Sequence, residues 1–528
     1  MSLVSTGFLL FLLAGVIVYY IIPKKMQWVW LLVLSCFYYL CSGYKTIIFI
    51  ITTTIVIYFA GVFLNKENER IKNIPAQADR SEKKKIKEDV KRRKKLIVAL
   101  LLVIIFGILA VIKYHTFAIE NINAVIGVFT GKYDTIPTFK LLLPLGISFY
   151  TFQSAGYIID VYRDKYECCN NIFKFALFVS FFPQIMQGPI GRYDRLSPQF
   201  NEPHYFSLEN TEYGLQLMLW GFFKKIVIAD RIGVVADKVF LHPYDYNGIF
   251  VIVGVLAYCL QLYADFSGGM DVVSGAAELY GIKLDKNFRQ PFFSKSIGEF
   301  WRRWHITLGT WMKDYIFYPM SLSKGMNKLS KWGKKHLGNH LGRTLPICFA
   351  NLVIFFIVGI WHGAEVRYIA YGLYNGIIIA FSNLCEPIYK KGLEKFRING
   401  DGRGWKIFKI IRTFILVNIG WIFDCCELGM RTAVKMMTEM FTKLNVQLLT
   451  WDIFKQFELK PKDYIVIAVG CVVIFIVGIF KEKGIKIRET IASKPLAVRW
   501  LLYYGIIILA LLFGYTDSGS SGFMYAAF

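Results

Sequence analysis

Two histidines lie in tryptophan-rich motifs, and they are the residues of this chain best suited to proton transfer. His305 lies in SKSIGEFWRRWHITLGTWMKDYIFYPM, residues 294–320, and His362 lies in GIWHGA at the end of an apolar run. A hydroxyl group must lose its proton to become a good nucleophile, and an imidazole with a pKa of about 6.5 can accept it. Burial keeps such an imidazole neutral at rest, because desolvation disfavours the charged form.

His362 is a candidate for this base, with Trp361 excluding water and Gly363 leaving room for a substrate. The alternative is a structural histidine that donates to a backbone carbonyl. His305 has its own alternative, in which it only caps an aromatic belt. The sequence does not decide whether His362 acts as a base or carries a transferred group covalently. No activated Ser or Cys stands nearby, which favours direct transfer.

The motif around His305 has the pattern of an amphipathic helix lying along a lipid interface. We predict one helix over residues 295–313, with its indoles facing protein or lipid, and we include Trp304 among the candidate substrate contacts. At about 100° per residue, one face carries Trp301, Trp304, His305, Leu308, Trp311 and Met312, and the other carries Glu299, Arg302, Arg303, Thr310 and Lys313.

Charged residues of this motif have two possible roles each. Arg302 and Arg303 either bind phosphate groups of a carrier or coenzyme, or extend to lipid headgroups. Asp314 either orients a neighbouring group or pairs with Lys313 or Arg303.

Polar residues elsewhere in the central third also fall at predicted membrane depth, where ionisable groups usually have a function. Asp265 and Asp271, in YCLQLYADFSGGMD, either line a substrate passage or pair with an arginine. Gln187, in FFPQIMQGPIGRY, is a further candidate for lining such a passage.

The composition is that of an integral membrane protein. Of the 528 residues 55% are hydrophobic and 17% aromatic, against about 45–50% apolar residues in soluble domains. Uncharged runs and interrupted apolar stretches give about ten to twelve predicted transmembrane helices, with further broken, re-entrant and interfacial helices. The predicted fold class is therefore an all-α integral membrane protein. Thr6–Ile22 lacks the features of a cleavable signal, so we predict a retained helix.

The positive charge is concentrated beside predicted spans. Residues 66–95 hold 13 Lys or Arg against 6 Asp or Glu, which predicts that this segment is cytoplasmic and that the N-terminus is outside. The net charge of +25 is thus explained by topology and anionic headgroups, and we expect no nucleic-acid partner.

We predict one polytopic membrane domain over residues 1–528. Its parts are N-terminal spans at 1–64, a basic cytoplasmic loop at 65–95, a core with the chemical motifs at 140–380 and C-terminal spans at 381–528. No metal site is predicted, because no CxxC occurs and His336 and His340 have no acidic neighbour.

Four segments together resemble the membrane-bound O-acyltransferase family. They are FRQPFFSKSIGEFWRRWHITLGTWMKDYIFYP, LYADFSGGMDVVSGAAELYGI, FFPQIMQGPIGRY and GIWHGAEVRYIAYGLYNG. Their order is similar to the bacterial branch that includes AlgI and DltB, and WRRWHITLGTW looks more like the alginate-acetylating side. The resemblance implies that His362 is catalytic and that His305 is a second functional histidine.

The same resemblance implies transfer of an acyl group, acetyl first, from a cytoplasmic thioester to hydroxyls of an envelope polysaccharide outside. The thioester, acetyl-CoA or a carrier-protein thioester, is a co-substrate, and we expect no tightly bound cofactor. Expected partners are the lipid bilayer of the bacterial plasma membrane, an envelope polysaccharide or acyl-relay protein, and an acyl carrier protein.

Three alternatives stay open. One is D-alanyl transfer toward teichoic acid, within the same family. Another is an envelope-precursor transporter without chemistry, which the absence of an internal repeat disfavours. The third is a scaffold for a secretion complex, in which His362 is dispensable.

Overall fold

The structure is a computed structural model that describes residues 1–75, 78–139, 141–515 and 523. Helices dominate, and no strand occurs in this described part of the chain. The chain divides into two compact units. The first comprises residues 1–215 and 273–285, and the second comprises 216–272 and the described residues between 286 and 524. One domain over the whole chain stays a prediction.

The first unit contains eight complete α-helices in its described part. They are α1 (Thr6–Ile21), α2 (Gln27–Ser42), α3 (Ile47–Lys72), α4 (Arg80–Thr130), α5 (Ile147–Tyr162), α6 (Ile172–Ser180), α7 (Phe182–Ile185) and α8 (Tyr193–Asn201). Two further helices, α9 (Leu208–Phe222) and α11 (Ile249–Glu278), contribute residues to both units.

The remaining helices of the described chain lie in the second unit. They are α10 (Asp230–Leu241), α12 (Ile297–Arg303), α13 (Ile306–Met312), α14 (Tyr318–Ser321), α15 (Lys324–Leu337), α16 (Asn339–His362), α17 (Val366–Leu384), α18 (Glu386–Lys395), α19 (Arg403–Cys425), α20 (Met430–Thr442), α21 (Trp451–Gln456), α22 (Pro461–Glu482), α23 (Ile487–Ala492) and α24 (Leu496–Phe513). Two π-helical segments, Phe223–Ala229 and Lys313–Phe317, interrupt this series.

Much of the predicted basic loop at 65–95 is helical. The charged residues belong to the end of α3 and the start of α4, where the Asp79 side chain accepts a hydrogen bond from the Ser81 N–H at 3.2 Å. This is an N-cap, which satisfies an otherwise unpaired amide. The helix α4 continues from this basic segment to Thr130. Gly131, with φ of 73°, ends the helix.

Six helices of the described chain are long and apolar enough to cross a membrane. They are Tyr44–Lys72, α4, α11, α16, α22 and α24, and the bent pair α17 and α18 would be a seventh. The chain is thus an all-α integral membrane protein, as predicted. The expected total of about ten to twelve segments is larger, because α1 and the broken segments between 140 and 230 form shorter helices.

The predicted continuous helix over residues 295–313 is wrong. The backbone breaks at Trp304 and His305, between α12 and α13, and His305 adopts a left-handed conformation with φ of 47°. Such a conformation is uncommon for a residue with a side chain, and it often marks a functional site.

A tight pairing of α16 and α17 determines where His362 lies. A Cβ on Gly372 would come 2.1 Å from the Phe355 carbonyl oxygen, and one on Gly359 would come 2.5 Å from that of Tyr368. Glycines at these positions allow the two backbones to touch, as small residues do between membrane helices. His362 is the last residue of α16 and therefore lies at the turn of this helical hairpin.

Candidate active site

Asn287 supports the backbone break that carries His305. Its Oδ1 accepts hydrogen bonds from the Thr307 N–H and the Thr307 hydroxyl, both at 2.9 Å. Its backbone carbonyl accepts from the Ile306 N–H at 3.0 Å. The same Oδ1 lies 3.3 Å from Nδ1 of His305, which is 3% exposed. One buried side chain therefore orients both the break and the imidazole.

These contacts indicate the tautomer of His305. Because Asn287 Oδ1 is an acceptor, the proton of the neutral ring belongs on Nδ1 and the lone pair on Nε2. Burial, and secondarily the neighbouring His362, lowers the pKa of His305 to about 3. The ring is therefore uncharged at neutral pH.

His362 lies among aromatic rings close to His305. Its ring centroid is 5.1 Å from that of Trp361 and 5.3 Å from that of Tyr371. The Trp361 ring is also 5.8 Å from the His305 ring. Both histidines and Trp361 are buried. Trp361 thus packs against both imidazoles in a dry environment.

Gly363 does not leave the predicted room for a substrate. A Cβ at this position would come 2.1 Å from the ring of Tyr368. That ring stacks near His362, with centroids 6.3 Å apart. The glycine is needed because Tyr368 fills the space that we expected a substrate to use.

Asp424, at the end of α19, faces His362. Its Oδ1 lies 3.6 Å from Nδ1 of His362, and both side chains are 5% exposed. Its Oδ2 accepts a hydrogen bond from the Tyr258 hydroxyl at 2.7 Å, and its backbone carbonyl accepts from Arg367. With Nδ1 facing this carboxylate, Nε2 of His362 lies on the opposite side of the ring.

The two arginines of the tryptophan-rich motif differ in their environment. Arg303 donates to Glu299 at 2.8 Å and to Glu482 at 2.7 Å, so ion pairs already occupy its guanidinium. Arg302 is exposed at the end of α12. Of the two, only Arg302 keeps the geometry to bind phosphate groups or extend to headgroups.

Two further candidates serve the scaffold in this structure. Asp265 is 1% exposed and receives the Lys225 ammonium at 2.7 Å, so its partner is a lysine of a π-helical segment and not the arginine we considered. Trp304 is buried among Phe288, Phe300 and Trp421 and packs in the protein core.

Two candidates remain, Asp314 and Gln187. Asp314 is half-buried in the π-helical segment Lys313–Phe317. Gln187 is fully buried in the first unit. Its role in lining a passage stays a prediction.

Sequence reasoning missed Asp424, Tyr258 and Asn287. Asp424 lies in the apolar stretch WIFDCC. We selected Asp265 because it is an ionisable group at predicted membrane depth, and the same criterion would have selected Asp424. No comparable signal identifies Asn287, which lies in a polar connection.

The helical membrane architecture and the two buried histidines define the class of this protein: an integral membrane protein whose helices enclose both imidazoles. Residues 169–423, which include both histidines, match the family model of MBOAT, the membrane-bound O-acyltransferase family. This match confirms the predicted resemblance to that family.

Individual relatives agree with this result. The chain is 36% identical over 336 residues to the probable alginate O-acetylase AlgI of Pseudomonas syringae, covering 63% of this chain and 58% of the relative. It is 30% identical over 360 residues to the peptidoglycan O-acetyltransferase of Helicobacter pylori, covering 63% and 62%. It is 29% identical over 293 residues to the teichoic acid D-alanyltransferase of Bacillus subtilis, covering 54% and 69%. The matches with the first two relatives thus span less than two thirds of their lengths.

Proposed function

We propose that the protein is an O-acyltransferase that moves an acyl group from a thioester to hydroxyls of a cell-envelope polysaccharide. The buried His362, with its Nδ1 facing Asp424 and its ring against Trp361, which also packs on His305, carries this proposal. The location of both histidines in the MBOAT region supports it.

The proposed reaction has one transfer step. Nε2 of His362 takes the proton of the acceptor hydroxyl as its oxygen attacks the thioester carbonyl carbon. The carbon–sulfur bond breaks, and the leaving thiolate receives the proton that His362 took, which restores the neutral imidazole. The neutral His305 contacts donor or acceptor, and the aromatic walls exclude water that would hydrolyse the thioester.

Acetyl is the proposed acyl group, because the identity to the alginate O-acetylases exceeds that to the teichoic acid D-alanyltransferase. The donor is acetyl-CoA or a carrier-protein thioester used as a co-substrate, without a tightly bound cofactor. The proposed location is the bacterial plasma membrane, with the N-terminus outside and residues 66–95 cytoplasmic. An extracytoplasmic acyl-relay protein is an alternative first acceptor.

D-alanyl transfer is the second candidate, and the similarity to the Bacillus subtilis enzyme favours it. The experiment is thioester consumption by the purified chain in lipid vesicles, with acetyl-CoA or a D-alanyl carrier thioester as donor. We expect faster thiol release from the acetyl donor when an acetylatable polysaccharide is present. Preference for the D-alanyl carrier would favour the second candidate, and consumption of neither donor would contradict acyl transfer.

A further inference from the structure

The carboxylate of Asp424 is held in a fixed direction. Tyr258, on α11, donates to its Oδ2, which leaves Oδ1 toward His362. Arg367 anchors the same residue through the backbone carbonyl and is itself paired with Glu365 at 2.7 Å. Side chains from three helices thus meet at the end of α19.

The distance between Asp424 and His362 is typical of an acid–base pair without bound substrate. At 3.6 Å it is longer than a hydrogen bond. Hydrogen bonds of a resting acid–base site are often long and shorten when substrate binds. A carboxylate at this distance in a dry interior interacts strongly with an imidazolium, because charges are poorly screened there.

We propose that Asp424 is a positioning residue for His362 and that Tyr258 holds Asp424 in place. Asp424 keeps the His362 proton on Nδ1, so that Nε2 faces the acceptor, and its negative charge stabilises the imidazolium formed during transfer. This inference rests on the proposed acyl transfer.

The test is steady-state acyl transfer by Asp424→Asn in vesicles, with Asp424→Glu and Tyr258→Phe beside it. Asp424→Asn keeps the size of the side chain but removes its charge. We expect kcat to fall by about 10²-fold or more with little change in KM, since the loss affects an acid–base group. Asp424→Glu should recover part of kcat. Tyr258→Phe should lower kcat about tenfold, because it removes one hydrogen bond to a charged group.

Three results separate the possibilities. Asp424→Asn with wild-type kcat, while His362→Ala is inactive, would overturn the positioning role and leave acyl transfer intact. An active His362→Ala would overturn the proposed function itself. A lower melting temperature with unchanged kcat would make Asp424 structural and also overturn the inference.

A second, independent feature is the basic face of α15. Lys324, Lys328, Lys331 and Lys335 lie on one side of this helix at about 100° per residue, and all four are exposed. No Asp or Glu occurs between residues 314 and 365, so the charge has no acidic neighbour in this part of the sequence.

The opposite face of α15 packs on α16. A Cβ on Gly333 would come 2.9 Å from Cα of Gly342, so the two helices touch there. Trp332 is 52% exposed and flanks the lysine face. An indole beside lysines, on a helix that leads directly into a membrane span, is the pattern of an interfacial anchor.

We infer that the lysine face of α15 docks on the headgroups of anionic lipids. Charge complementarity identifies the binding partner as acidic lipids with phosphate groups. A leaflet that contains them raises the binding constant of such a segment about fivefold per lysine. The exposed Trp332 then enters the headgroup layer.

The test reconstitutes the full chain in phosphatidylcholine vesicles that contain either brominated phosphatidylglycerol or brominated phosphatidylcholine. The signal of Trp332 is the fluorescence of the wild type minus that of Trp332→Phe. We expect quenching by the brominated anionic lipid to be several-fold stronger, and about 1 M salt, with its Debye length of about 3 Å, to remove the difference. A variant with the four lysines changed to Gln should also lose it.

The matched control removes equal charge from α4, by changing Lys84, Lys85, Lys87 and Lys91 to Gln, and should keep the lipid preference. Equal quenching by both lipids in the wild type would overturn the inference. Capture of an acidic carrier protein through the α15 lysines, without a lipid preference, would assign the face to a protein and also overturn it.

Discussion

Replacing Trp304 by alanine is the sharpest test of the core around the candidate site. The indole is 2% exposed. It stacks on Phe300 at 5.5 Å and meets Phe288 edge-on at 5.0 Å, with Trp421 at 5.5 Å. Removing it deletes a large buried surface and leaves a cavity, which costs about 3–5 kcal/mol. Aromatic pairs contribute about 0.5–1.5 kcal/mol beyond their area, so the upper part of this range is expected.

The chain offers a matched control in Trp332, which is 52% exposed. Trp332→Ala should change the free energy of unfolding by no more than about 0.5 kcal/mol. The measurement is the thermal unfolding of both variants in one neutral detergent, together with their yield in membranes. Equal melting temperatures and yields for the two variants would refute the reasoning that Trp304 supports the fold.

Three further predictions concern the scaffold and the topology. Lys225→Met removes the ammonium that lies 2.7 Å from Asp265 and 2.8 Å from Asp230 and should destabilise the protein by about 3–5 kcal/mol, whereas adding Asp265→Leu should recover part of the loss; a fully stable single variant would contradict this. Because burial lowers the pKa of His305 to about 3 while the unfolded ring titrates near 6.5, only the unfolded state gains a proton as the pH falls below about 6.5. Lowering the pH from 7 to 5 should therefore destabilise the wild type by about 2 kcal/mol more than His305→Gln, and parallel melting curves would argue against it. A cysteine at Ser81 should resist an impermeant thiol reagent on intact cells and react after lysis, and labelling of intact cells beyond the wild-type background would reverse the proposed topology.

The helical periodicity predicted which side chains of the tryptophan-rich motif are buried, because burial here depends only on which side chains are apolar. Trp304 and Trp311 are buried and Arg302 is exposed, as the helical pattern indicates. The break at His305 could not be read from that pattern. It depends on the side chain of Asn287, whose hydrogen bonds to Thr307 form only in the folded chain.

The candidate site was predictable in its histidines and not in their support. His305 and His362 stand out because polar rings in apolar motifs are unusual, and the fold brings both against Trp361. The pairing of His362 with Asp424 joins residues far apart in the sequence, and nothing local indicates it. Similarly, Gly363 suggested open space for a substrate, and only the fold shows that Tyr368 fills this space.

The most direct test of the central claim is the acyl-transfer activity of His362→Gln. It is measured as thiol release in vesicles and compared with that of His362→Ala and of the exposed control His336→Gln. Glutamine keeps much of the size and hydrogen bonding of the imidazole but cannot accept a full proton. We predict that both His362 variants remain folded and inserted while transfer falls by about 10²–10⁴-fold, and that the control keeps wild-type activity. Retention of most of the activity by His362→Gln would contradict the assignment of His362 as the base.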